Sequence, residues 1–254
     1  MSPEDVLKSA LGEAVQSAAP GLAAANALCH ACVELLDVDG AAISLFHDGK
    51  THGTFGASGE FSRRLDELQF TFGEGPCATA VREARPVLVP DLAGAEGERW
   101  PAYGSAALAL GVRAVFALPV SICASPFGVL DLFRGSPGPL LGGAYAGSLL
   151  AAELAALPLL DLMSAEVDWS ALEESGDAWS QLASLERVEV YQATGMIMGQ
   201  LGVGPAEALV RLRAAAFSKT LTASQLAWQI VEGHFSLEPD DSWRIPPPET
   251  EATG

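Results

Sequence analysis

Cys77 is the residue whose type and position most readily suggest chemistry. It follows Gly75 and Pro76 at the start of a predicted helix. Backbone N–H groups at a helix N-terminus stabilise a thiolate, so they would lower the pKa of this thiol and make it responsive to oxidants. The alternative, which is favoured, is a small buried residue that packs like an apolar one.

Cys29, His30 and Cys32 superficially resemble a metal-binding motif. Positions i, i+1 and i+3 of one helix do not converge, and no second ligand pair follows at the usual spacing, so we expect no metal site. The sequence also lacks a G-x-S-x-G turn, a Walker A loop, an H-E-x-x-H pair and a dinucleotide-binding fingerprint. With four histidines in no recognisable array, no catalytic residue is assigned and we expect a protein that is not an enzyme.

The composition restricts the classes of partner. Among 254 residues, 32 Asp and Glu stand against 14 Lys and Arg, a formal net charge of −18. This balance disfavours broad contact with polyanions or anionic membranes but allows a small local nucleic-acid site. No transmembrane run of about 20 apolar residues and no signal peptide is recognised, and four scattered cysteines do not form a disulfide framework. We expect a cytoplasmic protein with no membrane partner.

The elements that would position Cys77 follow from the spacing of apolar residues. Helices are predicted from Ser2-Pro3 onward and over Leu22–Leu36, Gly75–Ala84, Pro101–Leu110 and Gly143–Leu157. Strands are predicted over Ala41–Phe46, Thr51–Phe55 after an Asp48-Gly49 turn, Leu68–Phe72, Val87–Val89, Ala114–Ile122 and Phe127–Phe133. Together they predict an α+β domain with a mostly antiparallel sheet flanked by helices.

The character of the sequence changes near residue 160. Residues 161–178 are rich in Asp and Glu and contain no Lys or Arg, which is typical of a solvated linker. Three amphipathic helices are predicted next: over Trp179–Leu201, from Gly204-Pro205, and from Thr222, where Gln225 completes a capping box. They predict a small three-helix bundle followed by a disordered tail with three consecutive prolines.

Two segments resemble known families. Val190–Met198 (VYQATGMIM), with Glu207-Ala208, Leu212-Arg213 and Ala216-Phe217 downstream, resembles the ANTAR domain, a three-helix RNA-binding module of bacterial antiterminators. Gly73–Ala80 (GEGPCATA) and Pro86–Leu92 (PVLVPDL) resemble the GAF domain. The order is similar to that of actinobacterial GAF–ANTAR transcription antitermination regulators. The resemblance implies an N-terminal helix (1–19), a GAF-like sensor domain (20–160), an acidic linker (161–178), an ANTAR-like bundle (179–237) and a tail (238–254).

The resemblance also implies RNA contacts on the bundle. A module of this kind reads unpaired loop bases through amide or hydroxyl groups beside a few cations and stacking rings. The matching candidates are Tyr191, Gln192, Thr194, Arg211, Arg213 and Lys219. Thr194 stands where ANTAR proteins often carry lysine, and it contributes no charge. The alternative is that the cations are solvated helix charges and Tyr191 belongs to the interhelical core.

For the sensor domain, the resemblance implies a ligand pocket between sheet and helices. GAF domains bind cyclic nucleotides, haem, tetrapyrroles or other small molecules, and some bind nothing. The candidate lining residues are Phe72, Cys77, Asp91, Trp100, Tyr103 and Phe116. None of them specifies a ligand, so the cofactor stays unknown, and Asp91 has an alternative role as a helix cap.

These inferences predict a signal-responsive antiterminator. Its GAF domain would sense a small molecule or a redox signal, and its ANTAR domain would stabilise structured RNA with two stem-loops, as part of a homodimer. A DNA-binding regulator would need a cationic recognition helix, and Thr222–Val231 contains no Lys or Arg. A protein–protein signalling module without RNA binding stays open, since residues 182–235 carry four cations against four acidic residues.

Overall fold

The computed structural model describes residues 3–47, 50–122, 125–164, 187–237 and 243–244 of the chain, which divides into two structural units. The first unit ends at Glu186 and the second begins at Arg187. The predicted Asp48-Gly49 turn and most of the predicted linker lie outside the described residues.

The first unit is a five-stranded antiparallel sheet with helices on both faces, which confirms the predicted fold class. The strand order is β2-β1-β5-β4-β3. Its elements are α1 (Pro3–Ser17), α2 (Leu22–Leu35), β1 (Gly40–His47), β2 (Lys50–Ala57), α3 (Glu60–Phe72), α4 (Pro76–Glu83), β3 (Val87–Val89), α5 (Pro101–Ala109), β4 (Ala114–Ile122), β5 (Ser125–Arg134), α6 (Gly142–Leu154) and α7 (Ala156–Ser164).

Both faces of the sheet carry buried apolar side chains because helices cover both. Successive side chains of a strand point to opposite faces. On one face, Ile43 of β1 and Leu130 of β5 pack in a core shared with α1, α2 and α6. On the other face, Val129 and Phe133 of β5 pack in a core shared with α3, α4 and α5. The α1 helix, predicted as a separate N-terminal element, therefore belongs to this unit.

One predicted strand is wrong. Residues Leu68–Phe72 alternate between apolar and polar over five positions, yet they form the end of α3. Leu65, Leu68 and Gln69 are buried at helical spacing, and Gly73 ends the helix in the left-handed region at φ 68°. The short alternation imitated a strand, whereas packing of α3 against β1 and β2 selects the helix.

One helical segment, Gly142–Leu160, is long and apolar enough to cross a membrane by length and composition alone. Its residues Ala151, Ala155 and Leu159 lie in the core beneath the sheet, and α6 contacts α1 and β4. A core helix of a folded domain passes the same composition test, and its place in this core favours that interpretation. The sequence predicts no transmembrane helix, and this segment does carry one charged residue, Glu153.

The second unit is a three-helix bundle of α8 (Val188–Leu201), α9 (Pro205–Ser218) and α10 (Ala223–Val231), in which every helix contacts the other two. The predicted capping box is confirmed: Thr222 Oγ1 accepts from the Gln225 N–H at 3.2 Å, and Gln225 Oε1 accepts from the Thr222 N–H at 3.0 Å. Residues 179–186 of the first predicted helix lie outside the described residues.

Two short strands follow α10. Strand β6 (Ser236–Leu237) pairs antiparallel with β7 (Trp243–Arg244). Both residues of β7 lie in the tail predicted to be disordered, so that expectation does not hold for them. The rest of the tail lies outside the described residues.

Candidate functional site

Polar residues meet in the core of the first unit, on the sheet face that α3 and α4 cover. Ser44 of β1 pairs with Thr54 of β2, and both side chains are buried. They hydrogen-bond the carboxylate of Asp66 from α3: Ser44 Oγ donates to Oδ1, and Thr54 Oγ1 donates to Oδ2 at 2.6 Å. Asp66 is fully buried, so these hydroxyl groups compensate part of its desolvation.

A second carboxylate, Asp131 of β5, lies diagonally across from Ser44 on the same sheet face. Gln69, one turn after Asp66, donates from Nε2 to Asp131 Oδ2 at 2.9 Å and to Cys77 Sγ at 2.9 Å. The Cys77 thiol also donates to Asp131 Oδ2. We call this set the buried polar cluster: Ser44, Thr54, Asp66, Gln69, Cys77 and Asp131.

The turn before α4 places Cys77 in this cluster. Gln69 Oε1 accepts from the Cys77 backbone N–H at 2.9 Å, which ties the start of α4 to α3. Gly75 makes this approach possible, because its φ is +150° and a Cβ there would lie 2.7 Å from Gln69 Cγ. The Gly75-Pro76 pair that marks the helix start in the sequence therefore also lets α4 pack closely against the side chain of Gln69.

Burial sets the proton affinities in the cluster. Desolvation, aided by the neighbouring Asp66 carboxylate, raises the pKa of Asp131 to about 8. Desolvation and the nearby Asp131 and Asp66 carboxylates raise the pKa of Cys77 well above its usual value. The prediction that a helix N-terminus lowers the pKa of Cys77 is wrong, because burial and adjacent carboxylates outweigh the helix dipole. Cys77 is buried, as the favoured alternative holds, but it is hydrogen-bonded rather than purely apolar.

Tyr103 of α5 lies close to the cluster. Burial, followed by interactions with Asp131, Cys77 and Asp66, raises the pKa of its phenol well above the usual value. Within the described residues, the Tyr103 hydroxyl and Asp131 Oδ1 are buried atoms with no hydrogen-bond partner. Since buried polar atoms are rarely left unpartnered, both atoms call for an explanation.

Two other candidate pocket residues lie in the same core. Trp100 is buried, and its Nε1 donates to Thr79 Oγ1 at 3.2 Å. Phe72 is half-buried and packs against the same cluster of apolar side chains. The structure thus gathers four of the six predicted pocket residues, Phe72, Cys77, Trp100 and Tyr103, on one side of the sheet.

Asp91 and Phe116 lie elsewhere. The Asp91 carboxylate is 39% exposed and pairs with Arg113 at 3.0 Å, and it accepts from the Ala93 N–H at 3.0 Å, so it stabilises a surface turn. Phe116 faces the opposite core, where the Arg134 guanidinium lies 5.5 Å from its ring centroid. Its expected place in the pocket is incorrect because Val115 and Ala117, its neighbours in β4, occupy the other face.

Cys29 and Cys32 are also placed by the fold. Both are fully buried in the core under α2, and burial raises the pKa of Cys32 to about 12. His30, between them, is exposed. The two thiols therefore share one core, and the histidine points away from them to the surface.

In the second unit, α8 separates the candidate RNA-contacting residues. Tyr191 is 61% exposed, and Gln192 is exposed beside it. Thr194 is buried, and its Oγ1 donates to the Val190 carbonyl at 2.6 Å. The predicted RNA contact through Thr194 does not agree with this placement. The short side chain stays against its own helix and hydrogen-bonds the backbone of the preceding turn.

The candidate cations of the bundle are half-buried. Arg211 Nη2 lies 2.8 Å from Glu207 Oε1, one turn earlier in α9, and Lys219 Nζ lies 4.7 Å from the centroid of Phe235. Burial and the nearby positive charge of Arg187 lower the pKa of Arg213. Arg187 itself is buried, with 3% of its surface exposed.

Further exposed aromatic residues were missed by the sequence analysis. Phe217 of α9 is 61% exposed and Trp228 of α10 is 55% exposed. Each directly follows a buried alanine, Ala216 and Ala227. Their positions in the sequence could have indicated this, because both lie outside the apolar face that each helix buries. A count of apolar residues alone does not distinguish the two faces.

Family comparisons agree with both units. Residues 22–142 match the family model of the GAF domain, and residues 181–231 match that of the ANTAR domain. The chain therefore carries a GAF domain followed by an ANTAR domain, as the sequence resemblance implied. Both are regulatory domains, and this pair of domains is typical of a signal-sensing regulator.

Solved structures share the fold of the first unit. The GAF domain of an Acinetobacter phosphoenolpyruvate-protein phosphotransferase is 12% identical with a TM-score of 0.51, over 66% of this chain and 99% of that one. The corresponding domain from Coxiella burnetii is 20% identical with a TM-score of 0.50, over 64% and 98%. At such identities the likeness shows the fold alone. No curated protein matches the sequence.

Proposed function

We propose that this chain is a signal-responsive RNA-binding transcription antiterminator of the actinobacterial GAF–ANTAR type, acting in the cytoplasm as a homodimer and not as an enzyme. The GAF domain senses a small molecule or a redox signal, and the ANTAR domain stabilises an RNA with two stem-loops so that a competing terminator hairpin does not form. The observation that carries the proposal is the ANTAR match over residues 181–231, on a bundle that exposes Tyr191 and Gln192.

The exposed side of α8 supports recognition of unpaired bases. Tyr191 offers a ring for stacking, and Gln192 offers an amide that can donate to and accept from a base edge. The adjacent Gly195 is exposed with open space around its Cα, so a base can approach the helix closely there. These features need no large positive field, which agrees with the balanced charge of the bundle.

Cations of α9 support phosphate contact. Arg213 is half-buried, so a phosphate can reach it, whereas the nearby Arg187 is only 3% exposed. The three candidate cations all have intramolecular interactions, among them Glu207 with Arg211 and Phe235 with Lys219, and an RNA phosphate would have to compete with these. We therefore infer that RNA affinity depends more on bases than on charge.

A matched pair of glutamine variants tests this interpretation. Gln192 and Gln200 are both exposed on α8. The full chain is titrated by fluorescence anisotropy against a dual stem-loop RNA, with a single stem-loop RNA and a DNA duplex as controls. We expect selective binding of the dual stem-loop, and a dissociation constant raised about 3- to 10-fold by Gln192→Ala, the contribution of one hydrogen bond. Gln200→Ala should have no effect.

The salt dependence of the same titration measures the phosphate contacts. Each phosphate neutralised on a single strand contributes about −0.7 to the slope of log affinity against log salt. We expect a shallow slope of one to two phosphates. Equal effects of the two glutamine variants, or equal binding of the DNA duplex, would contradict the proposal.

A protein–protein signalling module is the second candidate. It is favoured by three large apolar side chains that the bundle exposes, Val210, Phe217 and Trp228, since a protein partner would remove them from water. It predicts no binding to either RNA at any salt concentration, which distinguishes it from the first proposal.

A further inference from the structure

We propose that the buried polar cluster of the GAF domain is a binding site for one divalent transition-metal ion, held by the Cys77 thiolate and the carboxylates of Asp66 and Asp131. The site concerns the first unit alone and does not depend on RNA binding. Its ligands are also different residues from Cys29, His30 and Cys32, the set that superficially resembles a metal-binding motif in the sequence.

The donor atoms already lie close together. One ligand atom from each of Asp66, Cys77 and Asp131 can be chosen so that all lie within 4.8 Å of one another. Ligands of a tetrahedral ion at about 2.0–2.3 Å lie about 3.3–3.8 Å apart. Small side-chain rotations therefore suffice to bring three donors around one ion.

Two buried polar atoms of this core support a bound ion. Asp131 Oδ1 and the Tyr103 hydroxyl are fully buried and have no hydrogen-bond partner among the described residues. Asp131 receives its hydrogen bonds on Oδ2, from an amide and a thiol that carry no positive charge. A cation bound to Oδ1 would use its free lone pairs, and a water or anion completing the coordination of the ion would offer an acceptor to the buried Tyr103 hydroxyl.

The surrounding residues orient the carboxylates as outer-shell partners of a metal site do. Ser44 and Thr54 hold both oxygens of Asp66. Gln69 holds Asp131 through its Nε2 and the Cys77 backbone through its Oε1. The three ligands come from α3, α4 and β5, so the packed sheet and helices fix their separation.

The donor set selects the class of ion. One thiolate with two carboxylates suits Zn²⁺, Fe²⁺ or Co²⁺, whereas Mg²⁺ and Ca²⁺ prefer sites made of oxygen atoms only. Binding releases to solvent the proton of the Cys77 thiol and, near neutral pH, that of the Asp131 carboxyl, and it requires no oxidant or reductant.

Cobalt titration of the full-length protein tests the site. The protein is purified without chelators, its metal content is measured, and it is then stripped and titrated with Co²⁺ and with Zn²⁺. We expect about one ion per chain, and a thiolate-to-cobalt charge-transfer band that Zn²⁺ abolishes by competition. Absence of this band in the folded wild-type protein would overturn the proposal.

Cysteine variants locate the site. Cys77→Ser should remove the charge-transfer band and weaken Zn²⁺ binding by more than 100-fold, beyond the 10- to 100-fold typical of outer-shell changes. Cys32→Ala, which alters a buried cysteine of the opposite core, should leave the band unchanged. Loss of the band in Cys32→Ala but not in Cys77→Ser would refute the assignment.

A second variant covers the case in which Cys77→Ser does not fold. Asp131→Asn keeps the size of the side chain and the thiol, and circular dichroism checks its fold. We expect a weaker affinity and an altered visible spectrum of bound cobalt, because one oxygen ligand changes from carboxylate to amide. An unchanged affinity and spectrum would show that Asp131 is not a ligand and would overturn the three-ligand site.

Discussion

The GAF and ANTAR domains depart from ordinary burial in opposite ways. The GAF domain buries two carboxylates and a thiol in an apolar core, at Asp66, Asp131 and Cys77. The ANTAR domain instead leaves large side chains such as Tyr191 and Trp228 at its surface. Each arrangement is unfavourable for an isolated domain. Burying a polar group costs desolvation free energy, and an aromatic ring left in water forgoes the stabilisation that its burial would give. This contrast is what we expect if, as proposed above, the first unit holds a ligand in its core and the second unit holds a partner at its surface.

The largest expected effect tests whether the two units are independent. Ile197 is fully buried in the bundle, so Ile197→Ala should destabilise the second unit by about 2–5 kcal/mol. We expect the first unit to be unaffected, because its core clusters contain only its own residues. Hydrogen exchange resolved along the chain measures both units at once.

The control for this experiment is Met196→Ala, since the neighbouring Met196 is exposed on α8. It should change the protection of neither unit. Equal loss of protection in α3 and in α8 upon Ile197→Ala would mean that the chain unfolds as one unit and that the comparison between two domains has no energetic basis.

A smaller effect tests how tightly the buried polar cluster is assembled. Gly75→Ala places a Cβ 2.7 Å from Gln69 Cγ at a φ of +150°, and we expect a loss of about 1–3 kcal/mol. Gly59→Ala is the matched control, because Gly59 also precedes a helix and a Cβ there meets nothing within 4 Å. Urea midpoints of the two variants measure the difference. Equal midpoints would show that the α3–α4 approach is loose.

Tyr191→Ala tests whether the exposed ring of Tyr191 stacks on an RNA base. Removing a ring that stacks on a base weakens single-stranded nucleic-acid binding by about 1–3 kcal/mol. We expect the RNA dissociation constant to rise about 5- to 100-fold at nearly unchanged stability, because the side chain is mostly solvated. Val210→Ala, which removes an exposed apolar side chain without a ring, is the control, and an equal loss of affinity in both variants would argue against stacking.

The capping box of α10 gives an effect of about 1 kcal/mol. Thr222→Ala removes the side-chain acceptor for the Gln225 N–H and should lower the stability of the second unit by that amount. Gln225→Ala removes only the reciprocal bond and should cost less. The reverse order, measured by thermal unfolding, would contradict the assignment of the box.

That capping box also shows which parts of the structure can be predicted from sequence. Thr222 and Gln225 are three residues apart, and their interaction is local, so the pattern is visible in the sequence. The helices of the bundle are defined by the same short-range periodicity. Leu68–Phe72 shows the limit, because its alternation is overridden by contacts with strands about 20 residues away.

The buried polar cluster depends on long-range contacts. Asp66 and Asp131 are 65 positions apart and meet only because β1 and β5 pair antiparallel beneath α3. Cys77 could be singled out from its turn, but nothing near it in the sequence indicates two carboxylates. Likewise, Thr194 is buried because it lies on the face of α8 that packs inside the bundle. Its position within the sequence motif does not indicate this.

The smallest expected effect contrasts a surface carboxylate with the buried ones. The Ala93 N–H and the Arg113 guanidinium hold the pKa of Asp91 below its usual value, in the opposite direction to Asp131. A carboxylate with a lowered pKa stabilises the fold above its unfolded pKa of about 3.9, and this contribution is lost as pH falls through the folded value. The urea midpoint of wild type should therefore exceed that of Asp91→Asn near neutral pH and converge with it in acid. High salt should shrink the difference, because the pair is exposed to solvent. A difference that persists unchanged in acid would mean that Asp91 acts through packing rather than through its charge.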